Sequence, residues 1–132
     1  MPTRISPMLA VSDPPRAIEF YRQAFDAEVR WCIGEPPEVA GLAIGGAEFF
    51  LARENPPKTL GPDHAGHTTV RIELFVDDPQ ATHDRAVAAG ARVSGTVAQW
   101  EHATAAGTTL RMLQGSVVDP FGHRWLIGRF LD

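Results

Sequence analysis

The sequence predicts an α+β protein made of two βαβββ repeats, which form a curved mixed sheet with a concave ligand cavity. The first observation is a duplication: Val11–Pro14 and Val76–Pro79 each open a helical pattern, 65 residues apart. The second is that similar segments, Gly46–Arg53 and Gly122–Arg129, end the two halves. Because neither half can close a core alone, the repeats are expected to pair, with helices on the convex side of the sheet.

Composition limits the class of protein. With 132 residues, 44% of them hydrophobic, the chain fits one domain spanning residues 1–132. A net charge of -4 argues against a nucleic-acid partner and an anionic membrane partner. The single cysteine, Cys32, excludes an internal disulfide, and its apolar neighbours predict that it is buried. No apolar run is long enough to cross a bilayer, so we expect a cytoplasmic protein.

The first repeat, residues 4–53, begins with a strand at Ile5–Val11, where apolar and small residues alternate. Asp13 is a good N-cap for the helix that follows, and Asp26 ends that helix where the second repeat uses Gly90. Three strands are then predicted over residues 28–33, 39–44 and 47–53, the last two joined by a glycine turn.

Residues 54–67 are rich in proline and glycine and are predicted to connect the repeats. The second repeat, residues 68–130, has the same order of elements as the first. Its predicted elements are a strand at 68–76, a helix at 79–89, and strands at 91–97, 108–118 and 123–130. The small, polar segment Glu101–Gly107 is predicted to be a mobile loop.

Strand alternation predicts which side chains face the hollow. In the strand from Thr68, the apolar set Ile72, Leu74 and Val76 should face the helix. The intervening side chains of that strand, and their counterparts in the first and last strands, then line the hollow. The predicted ligand-binding residues are Met8, Glu48, Phe50, Arg71, Glu73, Phe75, Trp100, Arg124 and Leu126.

Alternatives remain open for several of these residues. Two ion pairs across the sheet are as consistent with the sequence as ligand contacts are. They would join Arg71 to Glu73 and Arg124 to Glu48. Trp31 and Trp100 either stack a planar ligand or belong to the core or an interface. Arg111 and Gln114 have opposite parity on the penultimate strand, so one of them faces inward.

The layout resembles the vicinal oxygen chelate superfamily, the glyoxalase, bleomycin-resistance and extradiol dioxygenase group. The residues that carry the resemblance are Val11–Asp13, Ala17–Tyr21, Phe25, Ala88–Ala91 and Val118–Trp125. The ending from Asp119 to Trp125, with Trp100 before it, is similar to the PhnB-like branch. The resemblance implies the glyoxalase/bleomycin-resistance fold and a homodimer.

Metal-dependent members of that superfamily place His, Gln or Glu at four inward positions. The corresponding positions here hold Ser6, Phe50, Arg71 and Leu126. A divalent cation needs several nitrogen or oxygen donors at about 2.0–2.2 Å, and a guanidinium repels it. We therefore expect no metal and no other cofactor. A register shifted by one residue would instead place Glu73 or Val70 near one of these positions.

Five histidines are present. His64 and His67 lie in the connector, His102 lies in the predicted loop, and His83 is expected to have a structural role on the second helix. His123 is expected to hold the turn before the last strand by a hydrogen bond, and contact with ligand is the alternative. Candidate catalytic residues are Glu73 and His123, and no catalytic triad or phosphate loop is present.

The leading functional hypothesis is a metal-independent, homodimeric protein that binds or sequesters a small amphipathic or aromatic molecule, as bleomycin-resistance proteins do. The alternative is a metal-dependent lyase, isomerase or dioxygenase of the same superfamily. A third hypothesis is a metal-free enzyme in which Glu73 acts as a base whose pKa is raised by apolar surroundings. The sequence leaves the ligand and the question of catalysis open.

Overall fold

The computed structural model describes residues 1–132. The first repeat contains β1 (Met8–Val11), α1 (Pro14–Phe25), β2 (Glu28–Ile33), β3 (Val39–Ile44) and β4 (Ala47–Arg53). A short helix, α2 (Pro62–Ala65), lies in the connector. The second repeat contains β5 (Arg71–Phe75), α3 (Pro79–Ala89), β6 (Arg92–Ala103), β7 (Thr109–Val118) and β8 (Arg124–Phe130).

Each repeat forms its own four-stranded sheet. The strand orders are β1-β4-β3-β2 and β5-β8-β7-β6, with a parallel first pair and antiparallel pairs thereafter. The predicted α+β class and the two βαβββ units are confirmed. Hydrogen bonding nevertheless divides the predicted sheet into two, because no ladder joins a strand of one repeat to a strand of the other.

Three element boundaries differ from the prediction by three residues or more. β1 begins at Met8 rather than Ile5, since Pro7 has no N–H to donate to a ladder. β5 begins at Arg71, because the Thr68 hydroxyl bonds both the N–H and the carbonyl of Val70 and turns the chain before the strand. β6 continues to Ala103, so Glu101, His102 and Ala103 of the predicted mobile loop belong to a paired strand.

Helix ends follow the sequence signals. The Asp13 carboxylate accepts a hydrogen bond from the N–H of Arg16 and caps α1. Asp26 ends α1 in the left-handed conformation at φ 55°, and Gly90 ends α3 at φ 122°. The short helix α2 is absent from the predicted elements, although Pro62 and Gly66 stand at its start and end, because four residues carry too little periodicity to detect.

The core lies between the two sheets on their helix-bearing faces. It is one cluster of 19 buried residues drawn from both repeats. Trp125 of β8 packs against Tyr21 and Phe25 of α1 and against Phe49 of β4, with ring centroids 4.7–5.7 Å apart. The repeats are therefore joined through an aromatic cluster as well as through the contact of α1 with α3.

A buried carboxylate fastens the second repeat to the first. One oxygen of Asp119 accepts the N–H groups of Phe121 and His123, and the other accepts Trp125 Nε1 and the Tyr21 hydroxyl. Burial, and next the negative charge of Asp119, raise the pKa of Tyr21 well above its ordinary value. The Asp119 turn thus holds α1 through a bond to its central tyrosine.

The edge strand β2 is not covered by a helix. Because α1 packs on β3 and β4, every residue of β2 is exposed. The prediction that Cys32 is buried is therefore wrong, and its thiol is free and exposed. No helix is both long and apolar enough to span a membrane.

Candidate functional site

The face of each sheet that lacks a helix is called here its open face. Alternation confirms the predicted split in β5, where Ile72 and Leu74 pack on the core while Arg71, Glu73 and Phe75 are exposed on the open face. In the first sheet, Met8 and Phe50 are directly paired across β1 and β4, and Glu48 lies two residues before Phe50. All nine predicted ligand-binding residues lie on strands of these two sheets.

Trp31 lies flat on the open face of the first sheet. A Cβ on Gly41, the residue paired with it on β3, would overlap the Trp31 ring, so only glycine leaves room for the indole. The ring also packs against Phe50, with centroids 5.3 Å apart. Because 38% of the Trp31 surface is exposed, this residue forms part of the open face and does not belong to the core.

A second aromatic group occupies one end of the open face of the second sheet. Phe75 and Phe130 stack with centroids 5.1 Å apart, and each remains about half exposed. Trp100 is also half exposed and is paired with the buried Met112, which in turn is paired with Phe130. This apolar group is called the aromatic end. Met112 and Phe130 are members that the sequence prediction lacks, and the alternation of β7 and β8 is the signal that indicates them.

Polar groups follow the aromatic end along the same face. Gln114 Nε2 donates to Glu73 Oε1 at 3.3 Å, so Gln114 is the member of its pair that faces inward. Arg111 points to the other face and bonds Glu101 at 3.3 Å. Leu126 is paired with Glu73 and is half-buried between these groups.

Neither proposed cross-strand ion pair forms. Glu48 pairs with Arg4 at 2.6 Å, whereas Arg124 donates to the hydroxyl of Ser94 at 3.2 Å. Arg71 has no carboxylate within 4.0 Å, since Glu73 lies on the same strand and accepts from Gln114 instead. The guanidinium groups of Arg71 and Arg124 thus have no carboxylate partner within the chain.

The predicted residues form two groups rather than one. Met8, Glu48 and Phe50 belong to the first sheet, and the other six belong to the second. No hydrogen bond, ion pair or aromatic pair joins the two open faces within the chain. Contacts between repeats run through the core, the Asp119 turn, the connector and the α1–α3 helix pair.

His123 lies beside a cleft between β1 and β5. Its Nε2 bonds the carbonyl oxygen of Ala10 at 2.8 Å, and its side chain is buried. The expected structural hydrogen bond therefore exists, but it ties the turn to β1 of the other repeat. Met8 and His123 both line this cleft of about 520 Å³, and half of its lining residues are hydrophobic.

The remaining histidines have other partners. His83 is buried and its Nε2 contacts the carbonyl oxygens of Gly95 and Ser116, which confirms a structural role. His64 bonds Glu54 in the connector, and Asp63 lies beside them. A hydrogen bond from Gly61, and next the bond with His64, lower the pKa of Glu54. This cluster lies on the surface of the connector.

The donor chemistry of the four superfamily positions does not fit a metal. Phe50 and Leu126 offer no donor atom, Arg71 is a cation, and Ser6 lies before β1 begins. On the open face of the second sheet the carboxylate is Glu73, which lies beside the amide of Gln114. One carboxylate and one amide supply too few oxygen donors to hold a divalent cation. The open faces are built instead from aromatic, apolar and guanidinium groups.

Comparison with known proteins gives the family. The family model of the glyoxalase/bleomycin resistance protein/dioxygenase superfamily matches residues 4–127. The chain belongs to this superfamily. An uncharacterized protein of Mycobacterium bovis is 35% identical over 134 aligned positions, covering 95% of this chain and 82% of the relative.

Solved structures share the fold of this chain. TioX from Micromonospora sp. ML1 is 25% identical with a TM-score of 0.67, and the match covers 98% of each chain. A gene product of Arabidopsis thaliana is also 25% identical with a TM-score of 0.67, covering 96% of this chain and 98% of the other. These likenesses extend over the whole superfamily fold, including both repeats.

Proposed function

We propose that this protein binds a small amphipathic or aromatic molecule on its open faces and that it does so without a metal. The observation that carries the proposal is the aromatic end, where Phe75, Phe130 and Trp100 present large apolar surfaces to solvent beside Glu73 and Gln114. Apolar walls with a few oriented polar groups are typical of small-molecule sites.

The polar groups support binding of a molecule with distinct ends. Glu73 and Gln114 fix one acceptor and one amide in the middle of the face, next to the apolar side chain of Leu126. Trp31 and Phe50 offer a second stacking surface on the first sheet. Stacked aromatic pairs contribute about 0.5–1.5 kcal/mol beyond their buried area. Binding or sequestration needs no further chemistry.

A second copy of the chain is part of the proposal. Each open face lacks a cover within the chain, and apolar side chains on both faces are exposed. We infer a homodimer in which the partner closes the ligand site. We also place the chain in the PhnB-like branch, on the Asp119–Trp125 ending, and in the cytoplasm, where an exposed thiol such as Cys32 stays reduced.

Calorimetric titration with 1-naphthol, a neutral planar aromatic, tests the proposal. We expect saturable binding to the wild type and a loss of about tenfold in affinity in Phe75→Ala, since one stacked ring is removed. Val87→Ala is the matched control, because Val87 is an exposed apolar residue on α3. Absence of saturable binding, or equal affinity in Phe75→Ala and Val87→Ala, would refute the proposal.

A further inference from the structure

A row of arginines crosses the open face of the second sheet at the end opposite the aromatic group. Arg71 of β5 is directly paired with Arg124 of β8, Arg124 with Val118 of β7, and Val118 with Arg92 of β6. Directly paired residues project from the same face of a sheet. Three guanidinium groups therefore share one line across four strands, here called the arginine row.

None of these arginines is neutralised within the chain. Six arginines lie within 4.0 Å of a carboxylate, namely Arg4, Arg22, Arg30, Arg53, Arg85 and Arg111. Three of the five others form the arginine row, although the chain as a whole carries a net charge of -4. The one side-chain bond in the row runs from Arg124 to the neutral hydroxyl of Ser94.

This arrangement has an electrostatic cost. Neighbouring strands are about 4.8 Å apart, so Arg71 and Arg124 place like charges side by side. Like charges directly opposite each other destabilise a sheet. An anion that accepts from several guanidinium groups would remove the repulsion, and paired N–H donors suit the oxygens of phosphate or carboxylate.

The surroundings leave room for such an anion. A groove of about 430 Å³ lies beside Arg92 and Arg124 and is also lined by His67. Two carboxylates border this groove. Asp119 is buried and occupied by its four donors, and Asp63 accepts bonds from the N–H of His64 and the hydroxyl of Ser12. Neither is within ion-pair distance of the arginine row.

We propose that the arginine row binds the anionic head of the ligand, a compact oxyanion such as a phosphate or carboxylate group. The inference rests on the proposed function and names its ligand class. Arg71 and Phe75 are four residues apart on β5, or about 13 Å. The long stem of Arg71 lets its guanidinium extend along the sheet toward the aromatic end. An aromatic molecule with an acidic group on its ring can therefore contact both the aromatic end and the row, beside Glu73 and Gln114.

A pair of probes with the same ring separates the two parts of the site. Calorimetry should show 1-naphthyl phosphate binding at least tenfold more tightly than 1-naphthol to the wild type. Arg71→Gln, Arg92→Gln and Arg124→Gln should each lose roughly tenfold in affinity for the phosphate and leave 1-naphthol binding unchanged. Arg129→Gln is the control, since Arg129 is exposed on β8 and lies on the opposite face.

Each outcome decides one statement. Equal affinity for the two probes, or equal losses in Arg129→Gln and the row variants, would overturn the anion site without affecting the aromatic one. Phosphate binding through the row without 1-naphthol binding would support the anion site and refute the aromatic one. Row variants that shift the dimer to monomers, with phosphate affinity unchanged, would assign the row to an interface. Tighter binding of a mixed-sequence oligonucleotide than of 1-naphthyl phosphate would also overturn the inference.

Folding of the row variants is checked in the same samples. All three side chains are exposed, and replacing one cation removes repulsion from its neighbour. Thermal unfolding should therefore occur at or slightly above the wild-type temperature in each glutamine variant. A large drop in that temperature would show that the arginines stabilise the fold and would contradict a ligand-binding role.

Discussion

Asp119 belongs to a local sequence motif and also makes contacts between the two repeats. It belongs to the Asp-Pro-Phe-Gly turn before β8, and its carboxylate accepts four hydrogen bonds inside the protein. Two of these come from the turn itself, one comes from Trp125 and one from Tyr21 of the other repeat. The same carboxylate therefore shapes a turn, orients the central aromatic ring and joins the repeats. A buried carboxylate held in this way resists replacement, because each missing acceptor leaves a buried donor.

The pKa of Tyr21 predicts a pH dependence of stability. Burial and Asp119 raise that pKa well above 10.0, so the folded protein keeps the hydroxyl protonated while the unfolded chain ionises near pH 10. The stabilising contribution is complete below about pH 10 and is lost as the pH rises toward the folded-state value. Denaturant unfolding followed across this alkaline range should show the loss.

Tyr21 can be observed directly because it is the single tyrosine of the chain. We expect tyrosinate absorbance to appear together with unfolding rather than before it. Tyr21→Phe is the control, and it should be less stable at neutral pH by about 1.5–3 kcal/mol, the range for a hydrogen bond to a charged group. Its stability should also fall less steeply in alkaline solution. Tyrosinate that forms near the ordinary tyrosine pKa in a folded protein would contradict this assignment.

Gly41 should be needed to seat Trp31. A methyl group at Gly41 would overlap the indole, so Gly41→Ala must displace the ring or the strand. We expect a loss of about 1–3 kcal/mol in the free energy of unfolding, as for other overpacked sites. In a Trp31→Ala background the same change should cost little, and denaturant unfolding of all four proteins measures the coupling. Equal costs in both backgrounds would show that Trp31 is not the constraint.

Among the secondary-structure elements, α1 and α3 end in different residues at equivalent positions of the two repeats. Both helices end in a residue of positive φ, which is Asp26 in the first repeat and Gly90 in the second. Glycine adopts that region without steric strain, and aspartate adopts it less readily. The exposed carboxylate of Asp26 lies 3.8 Å from Arg85, a surface ion pair of small energetic value.

Asp26→Gly should therefore stabilise the protein. We expect a gain of about 0.5–1 kcal/mol in the free energy of unfolding, since the relief of backbone strain outweighs removal of a weak surface ion pair. Thermal and denaturant unfolding of Asp26→Gly against wild type would measure it. Asp26→Ala provides the comparison, because it removes the same ion pair and keeps the strain. A gain of equal size in Asp26→Ala would attribute the effect to charge instead of conformation.

Strand patterns are predictive where one face of a strand meets the core. The alternation in β5 separates Ile72 and Leu74 from Arg71, Glu73 and Phe75, in agreement with the structure. Alternation does not predict burial in β2 or in the C-terminal half of β6. Both faces of these segments are exposed, so packing against the core does not require apolar and polar residues to alternate. For this reason Cys32 is exposed where burial is predicted, and residues 101–103 form a strand where a loop is predicted.

At the scale of the whole molecule, we propose that the open faces mediate assembly. The apolar residues Met8, Trp31, Ile33, Phe75, Trp100 and Phe130 are all at least 38% exposed on these faces. Apolar surface of that extent marks an interaction site on a protein, and exposed sheet edges add unpaired backbone groups. A small ligand would cover only part of one open face. A protein partner is therefore the simpler explanation for the apolar surface exposed on both open faces.

We predict a two-fold dimer that buries more than about 1,000 Å² in total. Light scattering on a size-exclusion column at micromolar concentration should give twice the chain mass of 14.4 kDa. Trp100→Glu should shift the protein toward monomers, because a charge is placed at the half-exposed indole position. Val87→Glu, at an exposed site on α3, should remain dimeric. A monomeric wild type would exclude this assembly.

The amino-acid sequence alone predicts the two βαβββ repeats, the helix caps and the face on which each residue of β5 lies. Local periodicity and turn chemistry, which are encoded within a few consecutive residues, predict the elements and their caps. The duplication, visible as two similar segments of the sequence, predicts their repetition. Tertiary packing sets the division of hydrogen bonding into two sheets, the bond from Tyr21 to Asp119 and the row shared by Arg71, Arg124 and Arg92. Those relations depend on the register between strands distant in sequence and on how the repeats pack. No local pattern encodes them, because they depend on backbone pairing between distant strands and on burial of the core shared by both repeats.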